Sequence, residues 1–162
     1  MRIKCGFLSL VLIACFVDAG AVACQSSDTE REQVNPAAQR IVDAFVAALK
    51  KHNVDAMMEC VTIPWSDRGG IYRSKEKLRE SFHGRFRKDD LSKLDSELLE
   101  VRTYKEMREK FKFDPKIIEQ FDVVADDDDL FFHFKWRLGD DEADIVLIVH
   151  LEGEKARLVG FR

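Results

Sequence analysis

Cysteine is scarce where a folded domain would need it. Of the four in the chain, Cys5, Cys15 and Cys24 stand in the first two dozen residues, which leaves Cys60 alone in the rest. One cysteine builds neither an internal disulfide framework nor a cysteine-rich zinc site. A small, buried, apolar role is the ordinary one for such a thiol. The sequence also lacks a GxGxxG, Walker A, HExxH, GxSxG or CxxC motif, so nucleotide, zincin and serine-hydrolase chemistries have no local support. Positive charge is in deficit, with a formal net charge of -4, and a general nucleic-acid binder is not expected. There is no internal repeat. What remains is an ordinary globular balance, 46% hydrophobic and 35% charged over 162 residues, with room for one domain and a leader.

The leader comes first. Arg2 and Lys4 form a short positive region, and residues 6–17 are almost wholly apolar. That run has the length of a signal core and is too short to span a membrane. Asp18 ends it, and Ala21-Val22-Ala23 supplies the small-x-small pattern that signal peptidase reads. Cys24 follows directly, trailed by the polar residues 25–32, an arrangement that resembles a bacterial lipoprotein. Ala21 stands where the lipobox usually has Leu. Leu12-Ile13-Ala14-Cys15 fits the box better but leaves apolar Phe16-Val17 behind the lipid. Lipidation at Cys24, lipidation at Cys15 and plain cleavage with release all stay open, with Cys24 the leading site. The expected organisation is a signal peptide at 1–23, a polar tether at 24–33 and a domain at 34–162. Such a protein is exported to the cell envelope, either membrane-anchored through its N-terminal lipid or periplasmic.

The domain begins with a helix. Asn35 is a good N-cap and Pro36 suits the first helical position, and Ala38, Ile41, Val42, Phe45, Ala48 and Leu49 recur at helical spacing. His52-Asn53 breaks it, and a short helix follows through Met57-Met58. Residues 61–65 read as a strand, 67–70 as a turn and 71–72 as a brief return strand. Ser74 caps a third helix with the thin apolar line Leu78, Phe82, Phe86. A strand at 98–103 and helical pieces at 104–111 and 115–120 come next. Residues 130–137 alternate, with Phe132, Phe134 and Trp136 on one face and His133, Lys135 and Arg137 on the other. Residues 145–151 are apolar on both faces, the mark of a central strand covered on two sides. Turns at 139–141 and 152–154 make the last forty residues an antiparallel meander. Helices first and sheet last define an α+β order.

The long first helix, the short second one, the segment CVTIPWSDRGGIYRSKEKLRESF and a meander ending in KARLVGFR resemble the nuclear-transport-factor-2-like (SnoaL-like) superfamily. The resemblance covers roughly residues 34–162. It implies a cystatin-like cone, in which helices pack in a curved antiparallel sheet that wraps the first helix. That superfamily includes ketosteroid isomerase, scytalone dehydratase and SnoaL-type cyclases beside many non-catalytic binding and scaffold domains, so the fold alone does not assign a function.

Catalysis in such a cone needs an inward acid or base. His52 falls at a helix end and His133 alternates away from the aromatic face, while His150 neighbours Val146 and Ile148. His83 borders the apolar line of its helix. Asp43 lies off the apolar face of helix one, and no superfamily catalytic motif maps onto it. No catalytic residue is assigned. Trp65, Tyr72 and His83 are the candidate pocket-lining residues. The run at 126–129 fails the EF-hand pattern, since its glycine position holds Phe131 and its glutamate position Arg137. It reads as a solvated turn, and no metal or cofactor is expected. The basic stretch at 73–88 reads as a solvated helix face. The leading expectation is a non-catalytic envelope domain binding an apolar small molecule or a protein partner. A lyase or isomerase with an acid–base pair in the cone is the alternative. A homodimer through a sheet face carrying Phe131 is a third.

Overall fold

The computed structural model describes residues 34–162, apart from 69, 87–89 and 112. The expected leader and tether, with Cys15 and Cys24, lie outside the described residues. Helix α1 (Pro36–Lys50) starts as its sequence dictates, because Asn35 Oδ1 accepts hydrogen bonds from Ala37 N and Ala38 N and Pro36 opens the helix. It buries Ala38, Val42, Phe45, Val46, Ala48 and Leu49. Its end is a Schellman motif: Asn53 N donates to Ala48 O at 2.9 Å and His52 N to Leu49 O at 3.0 Å. His52 takes the left-handed conformation, φ 52°, that this motif requires.

Helix α2 (Val54–Cys60) is capped by Asn53 and runs into the hairpin β1 (Val61–Asp67) and β2 (Gly70–Tyr72). Helix α3 (Lys75–Arg85), capped by Ser74, buries only Leu78 and Phe82. A 3-10 turn at Leu91–Lys93 precedes β3 (Asp95–Thr103). Helix α4 (Tyr104–Lys110) opens with a capping box between Thr103 and Glu106, and α5 (Pro115–Phe121) follows. The meander is β4 (Leu130–Leu138), β5 (Asp141–Glu152) and β6 (Lys155–Phe161). The start of β5 lies four residues ahead of the apolar run. Exposed residues 141–144 still pair in register with β4, from Asp141 opposite Leu138 to Asp144 opposite Lys135. Charge pairing across the strands, not burial, extends the strand there: Glu142 meets both Lys135 and Arg137.

The six strands form one curved, unclosed sheet in the order β2-β1-β6-β5-β4-β3. Pairing is antiparallel except between β1 and β6, which run parallel. Bulges with one extra residue, Leu99 in β3 and Val159 in β6, bend these two strands. Close packing at the bend demands glycine: a Cβ on Gly160 would meet Ile148 Cδ1 at 2.7 Å and Ser66 O at 3.2 Å.

Alternation sorts the side chains onto two faces. The inner face carries Phe132, Phe134 and Trp136 from β4, Ile145, Leu147 and Val149 from β5, and Leu158 from β6, all in one core with α1, α2 and α3. Phe45 and Leu49 lie in that same core. Phe131, Ile148 and Val159 point the other way, into a second core with Tyr104, Met107 and Phe121 of α4 and α5. Tyr104 stacks on Phe131 at 5.0 Å with 9° between the rings, and Phe121 meets Phe131 edge-on at 5.4 Å. The double-sided apolar run of β5 is thereby explained. The sheet face that carries Phe131 is covered by helices of the same chain.

Candidate functional site

The strands of the meander bury no ionisable group on the inner face among the described residues, yet the β1–β2 hairpin does. Trp65 stands opposite Tyr72 in the hairpin register. Period-two alternation puts Asp67 on the Trp65 side, and both are buried, with Asp67 at 1% exposure. The carboxylate is bonded at both oxygens: Trp65 Nε1 donates to Oδ2 at 3.2 Å and Arg85 Nη2 to Oδ1 at 2.8 Å. The same Arg85 nitrogen lies 3.4 Å from the Tyr72 hydroxyl, which shares a hydrogen bond of 3.0 Å with Ser81 Oγ. Arg85 comes from the last turn of α3, so its partly exposed guanidinium joins the buried anion to solvent.

An aromatic line leaves this cluster. Trp65 packs edge-on against Phe82 at 5.6 Å, with Phe45 closing the trio, and the contacts continue through Phe86 and Phe161 to Trp136 at 5.5 Å. The two tryptophans of the domain therefore end one continuous apolar path. They differ in one respect. Trp65 has its acceptor, whereas Nε1 of Trp136, a residue at 8% exposure, is buried with no hydrogen-bond partner among the described residues. Ser66 Oγ is the other buried side-chain atom without one among the described residues. A native protein leaves few such groups, and each costs about 1–3 kcal/mol.

Of the residues singled out from sequence, Trp65 and Tyr72 come together, and His83 does not join them. It is exposed on α3 and makes no hydrogen bond or ion pair among the described residues. The reason is angular: on a helix whose buried line is Leu78 and Phe82, the next residue turns about 100° away. Asp67 and Arg85 were hidden from sequence reading, Asp67 by its turn-like SDRGG context and Arg85 by its place in a basic stretch. Cys60 is buried, donates to Ala56 O at 3.4 Å, and has its thiol pKa pushed up by burial. Asp43 is exposed and accepts from Gln39.

The histidines of the meander lie on the outer side. His133, flanked by Phe132 and Phe134 of the inner core, sits between Glu100 at 3.7 Å and Asp144 at 3.4 Å. His150 follows Val146 and Ile148 on the outer face and places Nδ1 2.8 Å from Asp129 Oδ1. The acidic run is thus not wholly solvated: Asp129, next to the start of β4, is 3% exposed, and burial pushes its carboxyl pKa upward. Among the described residues no helix is long and apolar enough to cross a membrane.

No protein-family model matches the chain, and no curated protein matches it in sequence. Solved structures of similar fold do. One is an NTF2-like protein of unknown function from Cytophaga hutchinsonii, 10% identical over 76% of this chain and 85% of that one, with a TM-score of 0.43. A second is an uncharacterized cystatin-fold protein from Novosphingobium aromaticivorans, 16% identical over 76% and 95% of the two chains, with a TM-score of 0.45. A third, from Nostoc punctiforme, is a cystatin-like protein of unknown function, 13% identical over 76% and 84%, with a TM-score of 0.46. None of them brings an activity to this chain.

Proposed function

We propose that this chain is an exported envelope protein, anchored through a lipid on Cys24, whose cone binds an apolar small molecule carrying a hydrogen-bond acceptor. The observation that carries the reading is the buried N–H of Trp136, without a partner among the described residues, at the end of the line through Phe161, Phe86 and Phe82. An apolar wall with one placed donor is the usual make-up of a small-molecule site. Support for binding without chemistry comes from Asp67, whose two oxygens already serve Trp65 and Arg85. A carboxylate so engaged holds the hairpin to α3.

A lyase or isomerase is the second reading, and one observation favours it: Asp67, Arg85 and the Tyr72 hydroxyl gather ionisable groups at the inner end of the hairpin. The test uses 1-anilinonaphthalene-8-sulfonate, an apolar molecule with anionic acceptor oxygens. Saturable binding is expected, weakened about tenfold in Trp136→Phe, which keeps the ring and removes the donor. Equal affinity in the two proteins would overturn the reading.

A further inference from the structure

Outside the cone, on the opposite face of the sheet, three metal-ligating side chains converge. His150 Nδ1, Asp129 Oδ1 and Asp126 Oδ2 all lie within 4.8 Å of one another. We propose that they form a binding site for a divalent transition-metal ion of the zinc type, with the chain supplying three ligands and solvent the remainder. This inference is independent of the cone reading.

The donor set chooses the metal. Imidazole nitrogen with carboxylate oxygens suits zinc, cobalt and nickel, whereas calcium and magnesium take oxygen alone. The spacing fits as well. Ligand bonds of about 2.1 Å at tetrahedral angles put neighbouring donors about 3.4 Å apart. Here Nδ1 is 2.8 Å from Asp129 Oδ1 and 4.0 Å from Asp126 Oδ2, so the two separations bracket the required edge. Ligation through Nδ1 uses the imidazole tautomer that carries its proton on Nε2, and asks for side-chain shifts below an ångström.

Two of the donors are held in place. Asp129 Oδ2 accepts from Asp126 N at 2.9 Å, which leaves Oδ1 facing the imidazole, and Asp129 O accepts from Tyr104 N at 2.8 Å. His150 rises from the covered strand β5, and its other ring nitrogen lies 4.0 Å from Glu152 Oε1. Asp126 is open to solvent, giving the ion a way in and a free coordination position.

Charge points the same way. The neighbouring cation Arg108 is taken by Asp122 at 3.3 Å and Asp127 at 2.7 Å. Among the described residues no lysine or arginine pairs with Asp126 or Asp129. A carboxylate as buried as Asp129, with a histidine as its partner and a second carboxylate alongside, gains most from a dication.

The test is calorimetric titration of the untagged full-length chain with zinc at neutral pH, followed by cobalt for its visible absorption. One-to-one binding is expected, with the intense bands of four-coordinate cobalt and a raised melting temperature. Magnesium and calcium should produce neither. His150→Ala and Asp129→Asn should abolish binding, and Asp126→Asn, an exposed position that leaves folding intact, should weaken it about tenfold or more. Absence of one-to-one binding, or zinc affinity unchanged in both Asp126→Asn and His150→Ala, would overturn the site.

Discussion

Trp65 Nε1 donates to Asp67 Oδ2 at 3.2 Å, so the largest side chain of the hairpin and its buried anion hold each other. Arg85 answers the other oxygen at 2.8 Å from α3. Removing one partner of a buried ion pair is far more costly than removing an exposed one, because the remaining charge stays desolvated. Arg85→Ala should therefore lower the urea-unfolding free energy at pH 7 by about 3 kcal/mol. Glu142→Gln, which breaks solvent-screened contacts to Lys135 and Arg137, should leave the unfolding free energy almost unchanged. Equal losses would show that Asp67 is not an interior anion.

The end of α1 offers a gain. His52 occupies the left-handed position of the Schellman motif at φ 52°, a conformation in which any Cβ is penalised. It is exposed, and among the described residues its side chain makes no hydrogen bond or close ion pair, only a weak attraction to Asp90. His52→Gly should stabilise the protein by about 1 kcal/mol in urea unfolding. A loss of stability would mean that the ring makes contacts the motif does not account for.

Acid stability should depend on Glu100 of β3. Burial pushes its carboxyl pKa up, but hydrogen bonds from Lys110 at 2.8 Å and Arg102 at 2.7 Å outweigh that and hold it below its usual 4.5. A depressed folded-state pKa favours the ionised form in the native protein. Its stabilisation is complete above the unfolded value near 4.5 and disappears as pH falls through the lower folded value. Glu100→Gln should thus flatten the fall in the urea midpoint below pH 4.5. An unchanged acid limb would contradict the assignment.

Export is tested by mass. Expressed with its leader in a bacterial host and extracted from membranes, the chain should begin at Cys24 and carry acyl mass. Cys24→Ser should release it, and retention of that variant would move the lipid to Cys15. Recovery from the cytoplasm with Met1 still in place would overturn export.

Local signals in the sequence carried most of the fold. Asn35, Pro36 and Ser74 mark helix starts by their own chemistry, and strict alternation in β4 assigns Phe132, Phe134 and Trp136 to one face. What could not be read depends on distant partners. Asp67 is buried because Arg85, eighteen residues on, returns to it, and no pattern within either segment encodes that meeting. The solvated reading of the acidic run failed at Asp129 for the same reason, since its partner His150 lies 21 residues on, in β5. Helices α4 and α5 looked like connecting pieces, yet Tyr104 and Phe121 cover Phe131 and close the outer face. The turn at 67–70 made the hairpin itself legible, and its register sets Trp65 opposite Tyr72.

The central claim concerns Trp136, and its indole N–H can be watched directly. The chain has two tryptophans, so a nitrogen–proton correlation spectrum contains two indole signals, assigned by the loss of one in Trp136→Phe. Titration with 1-anilinonaphthalene-8-sulfonate should move the Trp136 signal downfield as it gains an acceptor, while the Trp65 signal, already bonded to Asp67, stays in place. A Trp136 signal that does not move at saturating probe would contradict the account.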